Sequence, residues 1–213
     1  MKRVSVIDYG VSNLLSVRRA LEHCDAEVEL VQTAGAIRAA DRVVLPGVGA
    51  FEDGMRGLRD RSFVDPIREF ADTGRPFLGI CLGMQMMFDA SEEFGEHEGI
   101  GLIPGRIVPI PRHGLTGAAH KIPHIGWNTL GSAASGRDWG GTVLDGIDDG
   151  SYAYFVHSFT AAPAQDDDRL ADTDYNGLVL SAVVASGNLY GAQFHPEKSG
   201  ATGLQVVRNF LAL

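Results

Sequence analysis

Cysteine is scarce in this chain: two residues in 213. That is too few for a disulfide framework, and Cys24 and Cys81 lack zinc-type spacing. A reducing, cytoplasmic setting is expected. No stretch reaches the roughly 20 apolar residues of a membrane span. The opening "MKRVSVIDYG" enters a strand-like run without the apolar segment and cleavage site of a secretory leader, so none is expected. Basic residues are in the minority, 18 against 27 acidic, for a net charge of −9. That balance argues against a nucleic-acid partner and suits simple solubility. Internal repeats and linker-like stretches are missing as well, so one domain spanning 1–213 is expected.

What is present alternates. "RVSVID" (3–8), "EVELV" (27–31), "RVVLPG" (42–47) and "PFLGI" (76–80) read as buried strands. Between them lie helical patterns. Over 13–23, Leu14, Leu15, Val17, Ala20 and Leu21 are expected on one face. Further helices are expected near 51–59 and 63–73, and "CLGMQMMFDA" has helical character. Strands alternating with helices imply βαβ units and a mostly parallel sheet. The second half changes style. "GRIVPI", "GWNTL", "YAYFVHSF", "RLADTDY", "LVLSAVVASG" and "LYGAQFH" are short strand candidates that could form antiparallel additions. Residues 131–141 read as a surface loop and 164–169 as a solvated turn. A closing helix is expected to pack Leu204, Val207, Phe210 and Leu211. Cys24, at a helix end, reads as structural.

Cys81 follows a strand directly and opens a helix, in the pattern G-x-C-x-G with Gly79 and Gly83 flanking it. That strand–turn–helix context matches the nucleophile elbow of α/β-hydrolases. A sharp turn forces the nucleophile into a strained backbone, and neighbours without side chains avoid clashes. The thiol then projects beyond the carboxyl end of the sheet, and the helix start favours the thiolate. The N–H of Leu82 would face a developing oxyanion. A base is needed, and His195 in "GAQFHPEKSG" is the best candidate, with Glu197 as orienter. The same residues also read as a strand-end histidine followed by a solvated glutamate. "LPGVGAF" (45–51) ends the third strand. Its glycines can turn N–H groups inward as an oxyanion hole or toward a phosphate, but it has neither P-loop nor dinucleotide spacing.

"PGVG", "GICLGMQ" and "FHPEKSG", in that order and each at a strand end, together resemble the class I (triad) glutamine amidotransferases. "IDYGVSNLLSV", "GLIPGRIV", "KIPHIGWN", "YFVHSF" and "TDYNG" narrow the resemblance to the glutaminase subunits of imidazole glycerol phosphate synthase. Two residues depart from that pattern: Ser12 stands where glycine is usual and Phe159 where tyrosine is frequent. The resemblance implies a flavodoxin-like α/β fold: a mostly parallel central sheet flanked by helices, with additional antiparallel strands in the second half. It implies hydrolysis of L-glutamine to glutamate and ammonia through a glutamyl thioester, with no cofactor and no metal. Cys81 would be the nucleophile, His195 the acid and base, and Glu197 its orienter. Gly49 and Leu82 would serve the oxyanion, and a backbone flip within Pro46–Gly49 would be a switch. Gln85 and the strand His157–Ser158–Phe159 would hold the glutamine.

The resemblance also implies a heterodimer with a (β/α)8-barrel cyclase that receives the ammonia. Asn13, Trp127, Tyr154 and Lys198 would lie at that interface. Their plain alternatives are a helix cap, two core aromatics and a solvated charge. Other readings are a glutaminase subunit of another synthase, a free-standing cysteine hydrolase, and a non-catalytic binding protein that kept the fold.

Overall fold

Runs of valine, isoleucine and leucine become the strands of a central sheet, because such side chains pack well on a pleat covered on both faces. In the computed structural model, which describes residues 2–10, 13–114, 117 and 119–213, these strands are β1 (Lys2–Ile7), β2 (Ala26–Val31), β3 (Val43–Gly47) and β4 (Phe77–Cys81). Ser12 lies outside the described residues. Helices α1 (Leu14–His23), α2 (Ala34–Ala39), α3 (Phe51–Asp60) and α4 (Val64–Asp72) connect them. The short α2, capped by the Thr33 hydroxyl accepting from the Ala36 N–H, carries no long apolar pattern and was not expected.

A five-residue helix, α5 (Leu82–Met86), follows β4. The helical reading of 81–90 fails beyond it, because β5 (Phe88–Ser91) pairs in parallel with β7 (Ile103–Pro109) and buries Phe88 there. β6 (His97–Glu98) lies between them in sequence. The second half supplies β8 (His124–Thr129), β9 (Gly131–Ser132), β10 (Tyr152–His157), β11 (Phe159–Pro163), β12 (Arg169–Tyr175), β13 (Leu178–Ser186) and β14 (Leu189–Ala192). The closing helix is α6 (Gly200–Ala212).

The main sheet is 8-stranded, in the order β2-β1-β3-β4-β14-β13-β12-β9. From β2 to β14 all neighbours are parallel; from β14 to β9 they are antiparallel. The parallel part has the flavodoxin-like order, whose ligands bind beyond the carboxyl ends of the strands. Successive side chains of a strand feed opposite cores. In β3, Val43 and Leu45 pack with Phe51, Leu58 and Phe70, while Val44 joins Leu78, Phe194 and Phe210 across the sheet. A second sheet, β11-β7-β5-β6, and a two-stranded sheet, β10-β8, flank the carboxyl edge.

Several expectations need correction. Leu15 is 59% exposed, whereas Val17, Ala20 and Leu21 are buried. One helical step of about 100° carries Leu15 off the apolar face. Residues 131–141 are not simply a surface loop. β9 extends the main sheet, Ala133 is buried, and the Trp139 indole N–H donates to the Leu170 carbonyl at 2.8 Å. Small residues here permit close packing, which composition does not distinguish from a loop. The turn at 164–169 holds a 3-10 turn whose Asp168 is buried. In α6, Val206 is buried and Leu204 only half-buried.

Candidate active site

Cys81 ends β4 with φ 53° and ψ −112°, a backbone that L-residues rarely adopt and that costs about 1–3 kcal/mol. The flanking glycines make that turn possible. A Cβ on Gly83 would lie 1.8 Å from the Leu45 carbonyl oxygen, and one on Gly79 would lie 2.8 Å from the Met84 backbone nitrogen. Gly47 is the β3 partner of Cys81 in the sheet, and a Cβ there would strike Tyr9 Oη at 2.7 Å. The elbow is therefore wedged against β3 by backbone on backbone.

His195 begins three residues after β14, the parallel neighbour of β4, so the sheet itself brings it to Cys81. Its Nδ1 lies 2.8 Å from Glu197 Oε1, and its ring lines the same pocket as the Cys81 side chain. Burial disfavours the imidazolium. The hydrogen bonds and charges of Cys81 and Glu197 outweigh it, and the His195 pKa rises to about 9. Both partners are buried, with side chains 3% and 1% exposed. Glu197 Oε2 meets no donor among the described residues, so its carboxylate is directed at the imidazole. The turn is tied down locally. The His195 N–H donates to the Tyr154 carbonyl at 3.0 Å. Ser199 Oγ donates to the His195 carbonyl at 2.7 Å and accepts from the Tyr154 N–H at 2.9 Å. Helix α6 closes over this turn at Gly203, where a Cβ would lie 2.0 Å from the Pro196 carbonyl oxygen.

The thiol and imidazole open into a pocket of about 280 Å³. Gly49, Leu82, Gln85, His157, Ser158 and Phe159 all line it, as does Glu93. A larger cleft of about 500 Å³ lies between β1, β2 and α2, but neither cysteine nor histidine lines it. Gly49 has φ +99°, which favours glycine at the tip of the loop. Buried Tyr9 donates its hydroxyl to the Pro46 carbonyl at 2.9 Å and so pins the start of this loop. Burial first, then the Cys81 charge, push the Tyr9 phenol well above its usual range. Glu93 Oε2 accepts the Phe51 N–H at 2.6 Å and pins the other end. Sequence reasoning missed both residues, since "IDYG" and "SEEFG" give no sign of what they will touch.

Both ring nitrogens of His157 are engaged by the protein. Nδ1 is 2.7 Å from the Phe159 carbonyl, which can only accept, so Nδ1 carries the proton. Nε2 then accepts from His124 Nδ1 at 3.0 Å, and His124 Nε2 accepts from Asn128 Nδ2 at 3.3 Å. Burial drives both imidazoles toward neutrality, to about 4 for His124 and about 3 for His157. Gln85 Nε2 donates to the same Phe159 carbonyl at 3.3 Å.

The remaining candidates do not line this pocket. Trp127 is 57% exposed and packs edge-on to half-buried Tyr154, with centroids 6.0 Å apart. Trp127 is therefore not a core aromatic. It shares the β8–β10 surface with exposed Ile125 and Tyr152. Asn13 occupies the N-cap of α1 but its side chain makes no capping bond, and Lys198 is exposed beside the His195 turn. Cys24 is half-buried and donates to the Leu204 carbonyl at 3.7 Å, away from the pocket.

The sequence model of the family "Glutamine amidotransferase class-I" matches residues 5–213. The chain is 58% identical over 213 residues to imidazole glycerol phosphate synthase subunit HisH 1 of Legionella pneumophila strain Lens, covering 100% of both chains. It is 50% identical to the HisH subunit of Halobacterium salinarum, covering 98% of this chain and 92% of that one. Among solved structures, PurLQS from Thermotoga maritima aligns with a TM-score of 0.72 at 22% identity, over 100% of this chain and 99% of that chain. A likeness at that identity speaks for the fold. The chain belongs to the class I glutamine amidotransferases, in the branch of the HisH subunits of imidazole glycerol phosphate synthase.

Proposed function

We propose that Cys81, His195 and Glu197 are the catalytic centre of a glutamine-hydrolysing subunit of imidazole glycerol phosphate synthase. The observation that carries this reading is the strained Cys81 facing the hydrogen-bonded His195–Glu197 pair across one pocket. The Cys81 thiolate attacks the side-chain amide carbon of glutamine. N–H groups of Leu82 and Gly49 receive the oxyanion. The His195 imidazolium gives its proton to the departing amine, which leaves as ammonia. Neutral His195 then takes a proton from water, whose oxygen attacks the glutamyl thioester. Collapse releases glutamate and returns the thiolate. Gln85, Ser158 and Phe159 hold the substrate, and the Glu93 carboxylate suits the ammonium of an amino acid. His157 acts through the carbonyl it holds, since both its nitrogens are taken.

Residues 1–213 act as one glutamine amidotransferase domain. The partner is a cyclase subunit built as a (β/α)8 barrel, and it receives the ammonia. The exposed aromatic surface around Trp127 and Tyr152 suits that contact, with Asn13, Tyr154 and Lys198 at or near it. Two free cysteines suit a reducing compartment, and the reading extends to a cytoplasmic reaction. No helix among the described residues is long and apolar enough to cross a membrane. The test is to mix the purified chain with the cyclase and its ribulosyl substrate. Glutamine turnover should rise on mixing; turnover that stays flat would count against this reading.

A further inference from the structure

We propose that Gln193 is a further residue of the catalytic centre: its side-chain amide, aimed by Gln85, donates an N–H to the Cys81 sulfur. The inference rests on the reading of Cys81 as nucleophile and adds to it a neutral donor whose charge does not change with pH.

Gln193 lies between β14 and His195 and is wholly buried. Its Oε1 accepts from Gln85 Nε2 at 3.1 Å, and its Nε2 lies 3.9 Å from Cys81 Sγ. The direction of this relay is fixed at its far end. Gln85 Nε2 also meets the Phe159 carbonyl, which can only accept. The nitrogen end of Gln85 therefore faces both Phe159 and Gln193. Gln193 must answer with its oxygen, and its NH2 is turned to the sulfur. Reversed, Gln193 would set NH2 against NH2 at one end and oxygen against sulfur at the other. A donor facing the sulfur favours the thiolate over the thiol.

The titratable groups around Cys81 leave room for this role. His195 faces it from the turn after β14, with Glu197 behind. Tyr9 approaches from the end of β1, but its hydroxyl proton is given to Pro46. His157 on β10 is committed to Phe159 and His124, and Glu93 stands on the pocket wall. His195 is thus the charged neighbour of the sulfur and Gln193 its neutral donor.

The test reads the sulfur directly, without glutamine or partner. In a Cys24→Ser background, Cys81 alkylation by iodoacetamide is followed between about pH 5 and 9. Gln193→Met keeps length and removes the donor. It should slow alkylation about tenfold near neutral pH and move the pH–rate profile upward, with the high-pH plateau kept. Gln193→Glu should slow it further by placing like charge beside the sulfur. Gln85→Leu, which leaves Gln193 unaimed, should displace the profile in the same direction and serves if Gln193→Met does not fold. Superimposable profiles, or a lowered plateau with no displacement, would overturn the proposal. A Cys81 no more reactive in the Cys24→Ser parent than the thiol of free cysteine would instead overturn the nucleophile reading beneath it.

Discussion

His195 and His157 border the same pocket, are 2% and 5% exposed, and titrate in opposite directions. Burial works against the charge on both. His195 sits between a thiol and a carboxylate, and those partners raise its pKa to about 9. His157 is met by a carbonyl and a second neutral histidine. The carbonyl does not repay the desolvation, and its pKa falls to about 3. One imidazole is thereby equipped to carry a proton and the other to hold a strand. The partner groups, more than the depth of burial, decide which is which.

The largest effect should come from removing the group that makes His195 useful. Cys81→Ala should reduce glutamine hydrolysis on the order of 10⁴-fold or more, while ammonia-supported synthesis with the cyclase continues. Loss of both activities would end the idea of separate sites. Glu197→Gln tests what sets the charge. It should lower kcat about 10²–10⁴-fold and bring the His195 titration, followed by NMR, down from about 9. An unchanged titration would remove Glu197 from the comparison.

His157→Leu should act on binding more than on chemistry, because it frees the Phe159 carbonyl and leaves His124 without its acceptor. KM for glutamine should rise about tenfold with kcat within about threefold. Equal losses in kcat and kcat/KM would place His157 in the reaction instead. The smallest effect is on stability. Histidines held below their unfolded pKa contribute stability above about pH 6.5, and it is lost as pH falls toward about 4 and 3. His195, held above its unfolded value, contributes fully below about pH 6.5 and loses that contribution as pH rises through about 9. Urea unfolding at pH 7 and pH 4.5 should show the His157→Leu variant losing about 1–2 kcal/mol less on acidification than the wild type. Equal losses would contradict the neutral pair.

The parallel half of the fold was largely readable, because each of its strands is a short apolar run stopped by glycine, proline or a polar turn. The three site motifs were readable for a related reason: each sits where such a run ends. Helix α2 and strands β5 and β9 were not. Each is short, and each exists because a neighbouring strand or core accepts it, as β12 accepts Gly131–Ser132. Trp139 lies in a stretch of small polar residues, and only the position of Leu170 makes it a packed side chain.

For the site, the sequence by itself determined the elbow. Strand, cysteine and flanking glycines are consecutive, so chain geometry alone fixes their relation. It kept the His195–Glu197 pair within reach as well, since only two peptide bonds and a proline separate them, and the fold then closed the contact to 2.8 Å. Tertiary structure decided the rest: that β14 lies beside β4, that Tyr9 and Glu93 pin the Pro46–Phe51 loop from two sides, and that Gln193 turns its nitrogen to the sulfur. Those contacts join residues 37 to 112 positions apart. No local pattern encodes such a pairing; it forms only when the sheet has assembled and buried polar groups must find partners.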